Sequence, residues 1–165
     1  MKLSLRQMTL NALFAAVYIV ITIFLPSYGA LQMRLSEMFA HLPLYNKKYS
    51  VGLILGVAVA NMRSEFGIID MIFGTLHTVI SLWIVSLIVK ETQTMTQKML
   101  INSAVFAATS FILALMVGFL TGQMAIFWLL YAQFAASIAI VMVVTIPVML
   151  ILDRQLDFKT VMERD

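Results

Sequence analysis

The chain has 165 residues, is 62% hydrophobic and 12% charged, and carries eleven Lys and Arg against eight Asp and Glu, for a formal charge of +3. That length leaves room for one domain, and a mean hydropathy of +0.97 excludes an ordinary soluble one. A pI near 9.3 does not point to nucleic acid here, because the basic residues are dispersed over loops, where cytoplasmic retention and anionic lipid explain them.

Six apolar segments are expected as helices, at 8–25, 35–45, 51–62, 66–89, 99–120 and 124–152. The first is longer than a secretory signal core and lacks a small-x-small cleavage site, so it reads as a retained span. It and the last three reach the roughly 20 residues that cross a hydrocarbon core. The second and third are short, about 17–18 Å each at ~1.5 Å per residue. Lys47 and Lys48 between them favour two crossings over a hairpin from outside. A hairpin would strand both ammonium groups at mid-membrane, at ~2.5–3.5 kcal/mol each.

Nine of the eleven basic residues fall in four places: Lys2 and Arg6, Lys47 and Lys48, Lys90 and Lys98, then Arg154, Lys159 and Arg164. Basic residues near spans are retained on the cytoplasmic side. The pattern predicts a multi-pass protein of the cell membrane with both termini cytoplasmic. Arg34, Glu37, Arg63, Glu65 and Asp70 are then isolated on the outer side, where a substrate arrives.

Small residues recur at helical spacing: Ala12 and Ala16, then Gly52, Gly56 and Ala60, then Ala132 and Ala136. Such faces let backbones approach closely where lipid offers no hydrophobic drive for association. Each serves either packing within the bundle or docking of another membrane protein. The first segment is the best docking candidate, since it carries few bulky polar residues.

The groups with chemistry are Arg34, Glu37, Asn61 and Asp70, at the outer ends of segments two to four. An ionisable group within a span needs a cavity or a partner. The two readings are a structural pair of Arg34 with Glu37 or Asp70, and a substrate site. Asp70, Gly74 and His77 share one helix stripe at i, i+4, i+7, with Gly74 expected to leave a gap between the two polar groups. Glu37 and His41 have a spacing that can place two metal ligands on one face. No H-E-x-x-H occurs, so neither metal nor cofactor is expected. Trp128 and Tyr131, with Phe127 and Gln133, open segment six as an interfacial belt or as a stacking wall for a flat ligand. No phosphate-binding Gly loop occurs, so any ATPase is another chain.

The run Gln32-Met33-Arg34-Leu35-Ser36-Glu37 followed by Leu42-Pro43 resembles the first outer loop and second helix of the QueT family. Gly52 to Gly56 with Ala60-Asn61, and Gly67 to Leu76, resemble that family too. The resemblance spans most of the chain and is densest from Gln32 to Leu76. It departs at His77, where a small residue is expected, and at Arg63-Ser64-Glu65-Phe66, a loop expected to be less charged. The resemblance implies an all-α membrane protein: a six-transmembrane-helix bundle of the type found in substrate-binding S-components of energy-coupling-factor (ECF) transporters. It implies uptake of a queuosine precursor, with a transmembrane coupling subunit and two cytoplasmic ATPases as partners. It also implies that Ala12 and Ala16 meet the coupling subunit.

The chemistry of a 7-deazaguanine suits the polar cluster. One carboxylate accepts its adjacent N–H donors, Asn61 or Arg34 donates to its carbonyl, and a second carboxylate meets a cationic aminomethyl tail. Glu37 and Asp70 divide these tasks in either order. The expected substrate site is thus Arg34, Glu37, Asn61, Asp70, His77, Trp128 and Tyr131, in a protein that does no covalent chemistry itself. Rival readings are an S-component for another small vitamin or nucleobase, an intramembrane hydrolase using Glu37, His41 and His77, and an assembly protein without a ligand.

Overall fold

The computed structural model describes residues 3–25 and 33–163; Lys2, Gln32 and Arg164 lie outside the described residues. Among the described residues the chain is helical and has no strand. The α-helices are α1 (Leu5–Phe24), α2 (Ser50–Asn61), α3 (Ile68–Ile88), α4 (Met95–Thr109), α5 (Phe111–Leu120), α6 (Phe127–Val144), α7 (Ile146–Leu156) and α8 (Phe158–Glu163). Four helical runs among the described residues are long and apolar enough to cross a membrane: Leu5–Phe24, Ile68–Ile88, Met95–Leu120 and Met124–Val144. The protein is an all-α membrane protein.

The second segment is a 3-10 helix, Leu35–Leu44, rather than an α-helix. At ~2.0 Å per residue its ten residues reach about 20 Å, further than an α-helix of the same length. Ser36, Met38, Ala40, His41 and Leu42 on it are buried, and it packs against α1, α2, α4, α6 and α7. The most polar of the six segments is therefore an inner one.

Segments five and six are each broken. At Ser110 the backbone N–H turns to the Ala107 carbonyl (3.3 Å), while the Ser110 and Thr109 hydroxyls donate back to Ala107 O (2.7 Å) and Val105 O (2.9 Å). Hydroxyl back-bonding of this kind bends helices. At Thr145 the hydroxyl donates to Val141 O (2.7 Å), and Pro147 then removes an N–H and opposes continuation of the turn.

Each break frees a carbonyl, and each carbonyl is taken by a buried histidine. His77 Nε2 lies 3.0 Å from Phe106 O, and His41 Nε2 lies 3.1 Å from Met142 O. Thr109 and Thr145 donate to the same two oxygens at 3.2 Å.

Small residues decide how α1 meets α2. The Gly52 N–H donates to Asn11 Oδ1 at 2.7 Å. A β-carbon at Gly52 would stand 2.6 Å from the Asn11 carbonyl oxygen, and one at Gly56 would stand 3.0 Å from Tyr18 Cβ. The Gly52, Gly56 and Ala60 face is consumed by this contact and is buried. Ala12, Ala16, Ala132 and Ala136 are exposed on their helices.

One end of the bundle is closed by the C-terminal helices. Asp157 adopts a left-handed conformation (φ 47°), which Asp tolerates, and turns α8 back over that end. Gln7 caps α1 through Ser4 (3.0 and 3.3 Å), and its amide donates to Met162 O (3.0 Å). Tyr49 Oη donates to Phe158 O at 2.9 Å. Burial, helped by the Asp153 and Asp157 charges, pushes this hydroxyl up to about 12, so it remains a neutral donor. Tyr45, Tyr49, Met99, Met149 and Phe158 form one cluster there. The N-terminus of α1, the Lys47–Lys48 turn, the start of α4 and the C-terminal helices consequently share one end. Arg34, Asn61 and Asp70 lie toward the other.

Candidate functional site

At that other end a cavity of about 300 Å³ opens between the 3-10 helix, α2, α3, α5 and α6. Its volume lies at the lower end of the range for small-molecule sites. Arg34, Glu37, Asn61, Asp70 and His77 all line it. They come from three separate segments, and the fold brings them together.

Arg34 organises the polar wall. Its Nη1 donates to Asn61 Oδ1 at 2.6 Å, and its Nη2 stands 3.8 Å from Asp70 Oδ2. A planar fork with donors on both arms meets the two oxygens from separate nitrogens. Of the two ion pairs open to Arg34, the one formed is with Asp70. Asn61 is buried, and its Nδ2 lies 3.5 Å from the Asp70 carbonyl oxygen. Gly74 does leave space beside Asp70, but the Asn61 amide occupies it: a β-carbon at Gly74 would overlap Asn61 Nδ2.

Glu37 sits in the first turn of the 3-10 helix. Its Oε1 lies 3.5 Å from the hydroxyl of the buried Tyr18, and no cation stands within 4.0 Å of it among the described residues. His77 is buried, packs edge-on against Phe106 at 5.6 Å, and uses Nε2 on the Phe106 carbonyl. A carbonyl partner requires Nε2 to carry the proton, which leaves Nδ1 as the acceptor.

Trp128 and Tyr131 do not line the cavity. Trp128 is 76% exposed, and Tyr131 reaches back to Ala108 O at 3.2 Å. With Phe127 they form an aromatic group outside the cavity, with ring centroids 5.1–6.4 Å apart. This placement fits the interfacial-belt reading of both residues better than the stacking-wall reading. Helical phase accounts for Trp128: the face of α6 that turns inward carries Leu130, Phe134, Ser137 and Ile138, and 128 falls off that stripe, while the Tyr131 hydroxyl is drawn instead to Ala108 O.

His41 is likewise absent from the cavity. Its Nδ1 faces Asn102 Nδ2 at 3.1 Å, so both ring nitrogens are engaged. The convergence of Glu37, His41 and His77 that a hydrolase would need does not occur. Among the described residues no group of His, Asp and Glu is placed to hold a metal ion.

Sequence reasoning did not single out Tyr18, Phe66, Met116, Gln123 or Phe134, which all line the cavity. Glu65 lines it as well, and the unusual charge of the 63–66 loop was the available signal for it and for Phe66. Nothing marks Tyr18 or Phe134 among the apolar residues around them.

The chain matches the family model described as QueT transporter over residues 8–154. A protein of Lactococcus lactis subsp. cremoris (strain MG1363), named queuosine precursor transporter QueT, is 36% identical over 75 residues. That stretch is 43% of this chain and 44% of the relative, so the chain spans less than half the length of the relative it matches. No solved structure matches this one.

Proposed function

The chain belongs to the QueT transporter family, and from that we propose that it is the substrate-binding S-component of an ATP-driven ECF importer. Its ligand is a queuosine precursor taken from the outer side of the cell membrane. The observation that carries this reading is the polar cavity built by Arg34, Glu37, Asn61, Asp70 and His77 at the end away from the basic turns. The name of the Lactococcus relative supports the substrate class. The cavity volume suits a bicyclic base.

In this reading the carboxylates of Glu37 and Asp70 accept ligand N–H groups, while Asn61 and Arg34 orient them and donate to the base carbonyl. His77 Nδ1 offers a further acceptor. Phe66 and Phe134 supply aromatic faces in place of Trp128 and Tyr131. Both termini and the Lys47–Lys48 turn lie in the cytoplasm. The exposed Ala12 and Ala16 on α1 receive the transmembrane coupling subunit, and two partner ATPases supply the energy. Support for that face comes from its contrast with the glycine face of α2, which internal packing already uses.

Mass spectrometry of ligand released from the purified protein tests the reading. A 7-deazaguanine is the expected product. Recovery of another vitamin or nucleobase would favour an S-component of different specificity. Protein that releases no ligand and binds no 7-deazaguanine by calorimetry would end the proposal.

A further inference from the structure

The first turn of the 3-10 helix carries two opposite charges, and they do not pair. The Glu37 N–H donates to the Arg34 carbonyl at 3.1 Å, which closes a turn between the two residues. Side chains three apart in 3-10 geometry lie nearly over one another, so an Arg34–Glu37 ion pair is the local default. Arg34 instead reaches Asp70 (3.8 Å) and Asn61 (2.6 Å), and no cation stands within 4.0 Å of Glu37 among the described residues.

The groups that hold Glu37 apart come from α1. Tyr18 presents its hydroxyl to Glu37 Oε1 at 3.5 Å, and one turn further on Thr22 Oγ1 lies 2.6 Å from Ser36 Oγ. The two contacts grip adjacent residues of one turn, and Ser36 is completely buried there. The Tyr18 ring cannot follow a shift of that turn. It is buried in a cluster with Leu53, Val57 and Phe106, and it lies against Gly56.

We infer that Tyr18 and Thr22 are positioning residues of the cavity: they hold the Glu37 carboxylate away from Arg34, so that both charges face the ligand instead of cancelling each other. Without the Tyr18 hydroxyl, Glu37 is a partly covered carboxylate beside a guanidinium, and a carboxylate removed from water needs a partner. Pairing with Arg34 would supply one. It would also draw Arg34 from Asn61 and Asp70 and close the polar wall on itself. The inference rests on the proposed function for the statement that this cavity binds a ligand, and it adds which side chains keep the cavity ready to do so.

Calorimetry on the purified full chain tests this, with 7-aminomethyl-7-deazaguanine as the probe and a melting curve for each variant. Tyr18→Phe keeps the ring and removes only the hydroxyl. It should weaken binding roughly tenfold or more, in line with a hydrogen bond to a charged group, with a melting temperature close to that of wild type. Glu37→Gln has no charge to pair with Arg34. Adding Tyr18→Phe to it should cost no further affinity, because an effect carried through Glu37 disappears with it. Additive losses in the double variant would place Tyr18 on the ligand itself and overturn the inference. Thr22→Val should weaken binding, whereas Thr22→Ser, which restores the hydroxyl, should not. Equal affinities of those two variants overturn the inference as well, and they decide it if Tyr18→Phe does not fold. Affinity losses that merely follow the melting temperature would reduce both residues to a structural role. Wild type that binds no probe overturns the proposed function and the inference together, whereas wild type that binds beside an additive double variant overturns the inference alone.

Discussion

At the scale of single residues the site depends on one guanidinium and one missing side chain. Arg34 holds Asn61, and Asn61 fits because Gly74 has no β-carbon. Gly74→Ala should push the Asn61 amide off its seat and loosen Arg34 from Asp70. Overpacking of this kind costs about 1–3 kcal/mol, so ligand affinity should fall by roughly ten- to a hundredfold. Calorimetry beside a melting curve checks it, and unchanged affinity would show that the Asn61 contact is dispensable. Trp128→Ala and Tyr131→Ala make the opposite case. Neither residue lines the cavity, so both variants should bind ligand like wild type. A large loss in either would restore the stacking wall that the fold argues against. The polar cluster was legible in the sequence because charges near spans are costly and hence conspicuous. Its internal pairing was not, since Asp70 and Glu37 differ only in which of them the Arg34 fork reaches.

At the scale of elements the informative features are the two broken helices and the two small-residue faces. Each break exposes a carbonyl that a histidine covers, yet the two histidines differ in position. His77 lines the cavity, whereas His41 is enclosed between Met142 O and Asn102. Removing His41 leaves buried polar groups without partners, at about 1–3 kcal/mol. His41→Ala should therefore lower the melting temperature and leave affinity in the surviving folded protein unchanged. His77→Ala should lower both. An affinity loss in His41→Ala matching that of His77→Ala would contradict the separation. The α1 faces divide in the same way. Ala16→Leu adds bulk to an exposed face and, under the proposed function, should block assembly with a coupling subunit and transport, while ligand binding to the isolated chain persists. Gly56→Leu meets Tyr18 and Ala15 inside the bundle and should destabilise the isolated chain itself. If Ala16→Leu assembles normally, that face has no partner. The capping pairs Ser4 with Gln7 and Thr94 with Gln97 carry the Ser/Thr-x-x-Gln signature, and they mark helix starts a few residues before the apolar runs begin.

At the scale of the whole molecule, contacts gather the basic turns at one end. Gln7 reaches Met162, and Tyr49 reaches Phe158, which puts the N-terminal turn, the Lys47–Lys48 turn and the last helix side by side. Cysteines introduced at Asn46 and Glu65 should then label from opposite sides of intact cells, with Glu65 reached from outside. Labelling of both from one side would sink the proposed orientation. Hydropathy and charge were sufficient to read a helical membrane protein, its long spans and the clustering of Arg34, Glu37, Asn61 and Asp70. These properties depend on where a residue stands along the chain, and a hydrocarbon layer sorts residues along that coordinate alone. The direction each side chain faces was decided only by the tertiary structure. A span that is apolar on every side carries no periodic signal to mark its inner face, so Phe134 and Trp128 look alike in sequence. Packing separates them: close contact of small residues sets helix rotation, helix breaks shift its phase, and only one of the two aromatics is left facing the cavity.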